Sequence, residues 1–328
     1  MAFDAVLVLS FGGPDQPGDV IPFLENVLRG RNVPPERLLE VAAHYYHFGG
    51  RSPINDQNRA LIRAIEAEMA SRGPQLPIYW GNRNWHPLLA DTLRQMRQDG
   101  VREALCLVTS AFTSYSGCRQ YREDIERARA EVGPDSPVIE KLRAFHNQPG
   151  FIEAMAERCR EALRELSGAP SAFVFTAHSI PMAMARSSRY EEQLREACAR
   201  VASAVGRPDW RLVYQSRSGP LPQPWLEPDI GAYLREIHDG GEGPREVVVV
   251  PIGFISDHME VVYDLDYEAK NLAKELGMNL IRAGTAGVHP NFVKMLRDLI
   301  AARVSGADPG DFCPPDCCVA QVSGLPRK

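Results

Sequence analysis

The chain has 328 residues, 44% of them apolar and 24% charged, with a formal net charge of −5. That length accommodates two domains of ordinary size, and the mildly acidic balance excludes a protein that grips nucleic acid through a basic surface. No run reaches the roughly 18 apolar residues of a membrane-spanning helix. Met1-Ala2-Phe3-Asp4 carries no basic leader, which predicts a cytoplasmic protein, compatible with peripheral membrane contact.

In chain order, apolar runs at 5–11, 77–81, 104–112, 172–178, 211–215, 246–254 and 279–283 read as buried strands. Amphipathic patterns at 58–71, 88–98, 119–130, 151–167 and 191–205 read as the helices between them. Such alternation predicts an α/β fold of parallel sheets covered by helices. The segment 28–56 interrupts the first half with Arg29-Gly30-Arg31 and Tyr45-Tyr46-His47-Phe48-Gly49-Gly50-Arg51-Ser52-Pro53. Aromatic rings beside arginines suit a flat anionic ligand, or else the core face of a surface helical hairpin.

The two halves repeat weakly. Phe11-Gly12-Gly13-Pro14, Tyr79-Trp80-Gly81-Asn82-Arg83 and Ser110-Ala111-Phe112-Thr113-Ser114 follow strands of the first half. Ala177-His178-Ser179-Ile180-Pro181, Tyr214-Gln215-Ser216-Arg217 and Gly253-Phe254-Ile255-Ser256-Asp257-His258 follow strands of the second in the same order. Ligands bind beyond the carboxyl ends of parallel strands, so the halves predict one cleft between them. The expected limits are 1–150, 151–305 and a tail at 306–328.

Ser256 or Asp257 is the expected N-cap of a helix on which Glu260, Asp264 and Glu268 recur every four residues. Carboxylates in one stripe repel, so the pattern reads as a cation or proton path, with a solvated acidic face as the alternative. His178, ending an apolar strand, is a candidate general base beside that stripe. No phosphate-binding GxxxxGK loop, GxGxxG fingerprint or GxSxG elbow is present.

Seven cysteines, an odd number, argue against a disulfide framework. Cys106 lies in an apolar run and reads as core. Cys313-Pro314-Pro315-Asp316-Cys317-Cys318, in a Pro-rich tail, reads as a set of metal or iron–sulfur ligands, or as incidental tail cysteines.

These residues carry a resemblance to ferrochelatase, which inserts ferrous iron into a porphyrin during haem synthesis. It spans residues 3–303 through Leu9-Ser10-Phe11-Gly12-Gly13-Pro14, Gly50-Arg51-Ser52-Pro53-Ile54, Thr176-Ala177-His178-Ser179-Ile180-Pro181, Gln215-Ser216-Arg217, Pro224-Trp225-Leu226-Glu227-Pro228-Asp229 and the stretch from Gly253 to Asp264. The resemblance implies two Rossmann-like, chelatase-type domains facing across a porphyrin cleft. It implies catalytic roles for His178 and Glu260, iron delivery by Asp264 and Glu268, and porphyrin contacts from Phe11, Arg29, Arg31, Tyr45, Ser52 and Ser216. Phe11 replaces a tyrosine of several bacterial members, which removes it as an iron ligand; His44 stands where some members carry a carboxylate-binding arginine.

Some members hold a [2Fe–2S] cluster, which here implies Cys118, Cys313, Cys317 and Cys318 as ligands, with Cys159 as substitute for Cys118. Coproporphyrin III is the implied substrate. Protoporphyrin IX, another metal, a non-catalytic porphyrin carrier and an iron–sulfur sensor are the rivals. A downstream haem-pathway enzyme is the implied protein partner.

Overall fold

The computed structural model describes residues 3–30, 33–219, 222–241, 243–308 and 317–319. The first sheet consists of β1 (Ala5–Ser10), β2 (Ile78–Asn82), β3 (Glu103–Val108) and β4 (Val138–Lys141), all parallel, in the order β2-β1-β3-β4. The second consists of β5 (Ser171–His178), β6 (Arg211–Gln215), β7 (Glu246–Val250) and β8 (Asn279–Arg282), again parallel, in the order β6-β5-β7-β8. The strand order repeats, as the loop sequences predict. β1 and β7 are buried along their whole length, as strands covered on both faces must be.

The helices are α1 (Val20–Leu28), α2 (Pro35–His47), α3 (Ile54–Arg72), α4 (Leu89–Gln98), α5 (Gln120–Val132), α6 (Pro149–Leu163), α7 (Met182–Arg186), α8 (Tyr190–Ala204), α9 (Ile230–Asp239), α10 (Met259–Val261), α11 (Lys270–Glu275) and α12 (Pro290–Val304). Alternation along β1 sends Val6 and Val8 to one face and Ala5, Leu7 and Leu9 to the other. The outer faces carry separate cores, under α4 and α5 in the first half and under α9 and α11 in the second. The inner faces share one core, in which Phe145, Phe151 and Phe292 meet between the halves. Helix α12, last in sequence, packs on both α6 and α3 and so returns to the first half. No helix among the described residues is long and apolar enough to cross a membrane.

Three expectations change. β4 was not anticipated: Val138-Ile139-Glu140-Lys141 is a short edge strand of mixed polarity, and only pairing with β3 makes it a strand. β7 stops at Val250 instead of running to Phe254, because Pro251 has no N–H for the ladder. The acidic helix is α-helical only at its ends, over α10 and α11, while Val262–Ala269 between them is a π-helix with wider turns.

Candidate functional site

His178 is the last residue of β5 and pairs in register with Gln215, the last of β6. Beyond Pro251, Gly253 passes directly over β5: a Cβ there would lie 2.7 Å from the Cα of Ala177. Only glycine lets the chain leaving β7 lie that close to the residue before His178. The helix N-cap is His258, whose Nδ1 accepts from the Glu260 amide at 3.2 Å. Neither Ser256 nor Asp257 caps it, because the Asp257 carboxylate is taken by Arg282 at 3.1 Å.

The result brings His178 and Glu260 together, with Nε2 3.5 Å from Oε1. His178 Nδ1 donates to the Ser179 carbonyl, which orients the ring and leaves Nε2 facing the carboxylate. Glu260 sits in an open cleft, with its side chain 48% accessible but ringed by protein. Burial opposes a charged His178, but the Glu260 carboxylate outweighs it and lifts the imidazole to about 9. Burial likewise opposes the charged Glu260, but His178 holds it down at about 2. The resting pair is therefore an imidazolium facing a carboxylate. Burial keeps His258 below its ordinary range, against the pull of Glu260.

Asp264 lies one turn further along. Its carboxylate accepts from Ser216 Oγ and, at 3.4 Å, from Gln215 Nε2. Burial, with Glu260 and Glu268 adding repulsion, raises Asp264 to about 7. Ser216 holds φ at +62°, a left-handed conformation unusual for a non-glycine residue. Glu268 is exposed and raised in the same direction by partial burial and Asp229. The three carboxylates thus run from the cleft to the surface. Glu260 and Glu268 are both exposed, whereas Asp264 between them is half-buried and held by Ser216 and Gln215.

The opposite wall is aromatic. Phe11 follows β1, is 37% exposed, and meets Phe23 edge-on at 6.2 Å. Trp85 and Tyr45 meet the same Phe23 ring at 6.4 and 5.8 Å. Gly12, at φ +83°, makes the turn beneath Phe11. Arg83, buried and paired with Asp124, places its guanidinium 5.6 Å from the Phe11 ring. Sequence reasoning passed over Arg83, although it closes a strand-end motif where a cation has no apolar role.

Across the cleft, His44 of α2 lies flat on Tyr263, with ring centroids 3.7 Å apart. His47 meets Tyr267 at 4.2 Å, and the Asp257 amide donates to Gln57 of α3 at 2.8 Å. Tyr45 is close enough to Glu260 for the carboxylate, after burial, to raise its phenol further. Ser52 is buried with its Oγ 3.5 Å from the Ile54 amide, and Arg29 is exposed at the end of α1 beside Asn26. Arg31 lies outside the described residues.

Cys118 is buried in the π-turn Tyr115–Arg119, whose first residues Ser114 caps. Arg119 Nη1 donates to the Cys317 carbonyl at 3.0 Å, which brings the tail to this turn. Burial, with Cys317 and Cys118 adjacent, raises the Cys318 thiol to about 12. Cys159 lies in the shared core beside Cys198, not with the tail. Cys313 lies outside the described residues. Among the described residues no group of three or more His, Cys, Asp or Glu is arranged to hold a metal ion.

Two parallel sheets of one strand order, with a histidine–carboxylate pair at the strand ends of one, define a two-lobed chelatase-type protein. The fold matches that of SirB from Bacillus subtilis with Fe3+ at a TM-score of 0.56 and 12% identity, covering 92% of this chain and 96% of that one. It also matches CbiX, described as the terminal enzyme for biosynthesis of siroheme in denitrifying bacteria, at a TM-score of 0.50 and 14% identity, covering 91% and 98%. The ferrochelatase family model matches residues 3–304, and the chain belongs to the ferrochelatase family. It is 53% identical over 329 positions to a ferrochelatase of Rhodopirellula baltica, covering 97% of this chain and 93% of the relative. It is 49% identical over 341 positions to a coproporphyrin III ferrochelatase of Mycobacteroides abscessus, covering 98% and 99%.

Proposed function

We propose that the protein inserts ferrous iron into a porphyrin for haem synthesis, with coproporphyrin III favoured over protoporphyrin IX. The observation that carries this reading is His178 against Glu260 at the second sheet's strand ends, opposite the aromatic wall of Phe11, Tyr45 and Trp85. Rings of that kind bind the flat macrocycle, and Phe11 contributes contact area without an iron ligand. Metallation releases two protons and needs a base, not a nucleotide. Iron arriving beside Glu260 repels the His178 proton and favours the neutral ring, whose Nε2 then serves as ligand or proton acceptor. Asp264, near 7, exchanges protons at neutral pH and leads outward to Glu268.

Arg29, Tyr45 and Ser216 are the candidates to receive propionates, with Ser52 and Arg31 as the resemblance implies; Ser216 must give up Asp264 to do so. Relatives at 49% identity named for coproporphyrin III support that substrate, which has twice the propionates of protoporphyrin IX. Anaerobic metallation of each porphyrin, followed by absorbance, tests the proposal. Faster use of coproporphyrin III is expected. Preference for protoporphyrin IX overturns the substrate choice, and no insertion of iron overturns the activity.

A [2Fe–2S] cluster on Cys118, Cys313, Cys317 and Cys318 is part of the same proposal. The buried Cys118 and Cys318 beside half-buried Cys317 fit such a group. Burial disfavours the bare Cys318 thiolate, and bound iron would supply the compensating charge. The protein acts in the cytoplasm on this reading and delivers its product to a later haem-pathway enzyme.

A further inference from the structure

The segment from His178 to Tyr190 is short and anchored at both ends. At its far end, the buried Tyr190 hydroxyl donates back to the His178 carbonyl at 3.1 Å. Just past β5, Ser179 is fixed to Gln215 through its amide at 2.8 Å and to Leu226 through its hydroxyl at 2.8 Å. Between lies α7, only five residues long. Such a helix is not stable alone and takes its position from what touches it.

Its first residue is held by Pro224, whose carbonyl accepts from the Met182 amide at 2.9 Å, and its remainder meets the cysteine-bearing turn and the tail. Ser116, two residues before Cys118, donates to the Met184 sulfur of α7 at 3.7 Å. Ser187, at the end of α7, shares its hydroxyl proton between Met184 and the Val319 carbonyl, both at 3.1 Å. Arg119 holds Cys317 from the other side, so residues 317–319 bridge the two halves. The loop leading into that turn reaches Tyr190 and its helix directly. Phe112 meets the Tyr190 ring edge-on at 6.3 Å, and the Thr113 amide donates to Gln193 of α8 at 2.8 Å.

We infer that the 178–190 segment is a positioning element for His178, clamped by Tyr190 and by the tail through Ser187, so that the cysteine site acts on the cleft through α7. The tail is then a strap whose seating sets how His178 faces Glu260. Tyr190 and Ser187 are positioning residues, since Tyr190 reaches His178 only at its backbone carbonyl and Ser187 bonds to Met184 and Val319. The inference rests on the chelatase reading only for its effect on turnover.

The test uses full-length protein carrying labelled histidine, with the His178 ring resonances followed by NMR at one fixed pH, beside steady-state iron insertion. Ser187→Ala is expected to shift those resonances and to lower kcat about three-fold, with KM for porphyrin unchanged. Ser187→Thr, which keeps the hydroxyl, is expected to restore both. Tyr190→Phe, which removes the bond to the His178 carbonyl, is expected to give the same signature more strongly. Unmoved His178 resonances in Ser187→Ala overturn the strap. Should the wild-type protein insert no iron, the chelatase reading fails, while the resonances still decide the strap.

Discussion

His178 and Glu260 come from different strand ends, eighty-two positions apart in sequence, yet each sets the other's charge at a separation of 3.5 Å. The imidazole is raised to about 9 and the carboxylate lowered to about 2. A proton must therefore leave His178 before it can bind a metal. Iron insertion is expected to rise with pH toward a limb near 9. Glu260→Gln removes the anion that holds the proton, so the limb moves to lower pH while maximal turnover falls. A pH profile of kcat/KM for iron checks this; an unmoved limb rejects the pairing.

The same pair carries a stability signature. The raised His178 contributes fully below its unfolded value of 6.5, and that contribution is lost as pH rises through about 9. The lowered Glu260 contributes fully above 4.5 and loses it as pH falls through about 2. The melting-temperature deficit of Glu260→Gln is therefore expected to be largest between 4.5 and 6.5 and to vanish above about 9.

Asp264 has the opposite sense. Its carboxyl is raised from 3.8 to about 7, so ionising it in the folded protein is unfavourable, and the penalty builds as pH rises above 3.8 and is complete above about 7. Asp264→Asn is expected to be more stable than wild type at pH 8 and equal to it near pH 3, by urea unfolding at both. On the proposed delivery route through Asp264 to Glu268, iron insertion is expected to fall in the same variant.

Gly253 tests how closely the second-half loops are packed. Gly253→Ala drives a methyl into Ala177, next to His178, and overpacking of this kind costs about 1–3 kcal/mol. Turnover is expected to fall further than stability alone explains, since the displaced strand carries His178. Unfolding and kcat measured on one preparation separate the two effects.

The cysteine site has a spectroscopic test. Anaerobically purified protein is expected to show visible iron–sulfur absorption, lost in Cys118→Ser and Cys318→Ser but retained in Cys159→Ser. Loss in Cys159→Ser alone would reverse the choice of ligand.

The periodicity of the chain determined the α/β alternation, seven of the eight strands and the repeat of the halves, because buried parallel strands are continuous apolar runs that stand out locally. The candidates His178 and Glu260 were legible too, as polar residues where a core has no use for them. β4 was hidden, since an edge strand takes its identity from its neighbour. Tertiary structure alone decided the rest. It turned the middle of the acidic helix into a π-helix, put Cys118 rather than Cys159 beside the tail, and laid His44 on Tyr263 across the cleft. It also fixed the charge of His178, because a pKa depends on burial and on charges brought close by folding, and sequence spacing encodes neither.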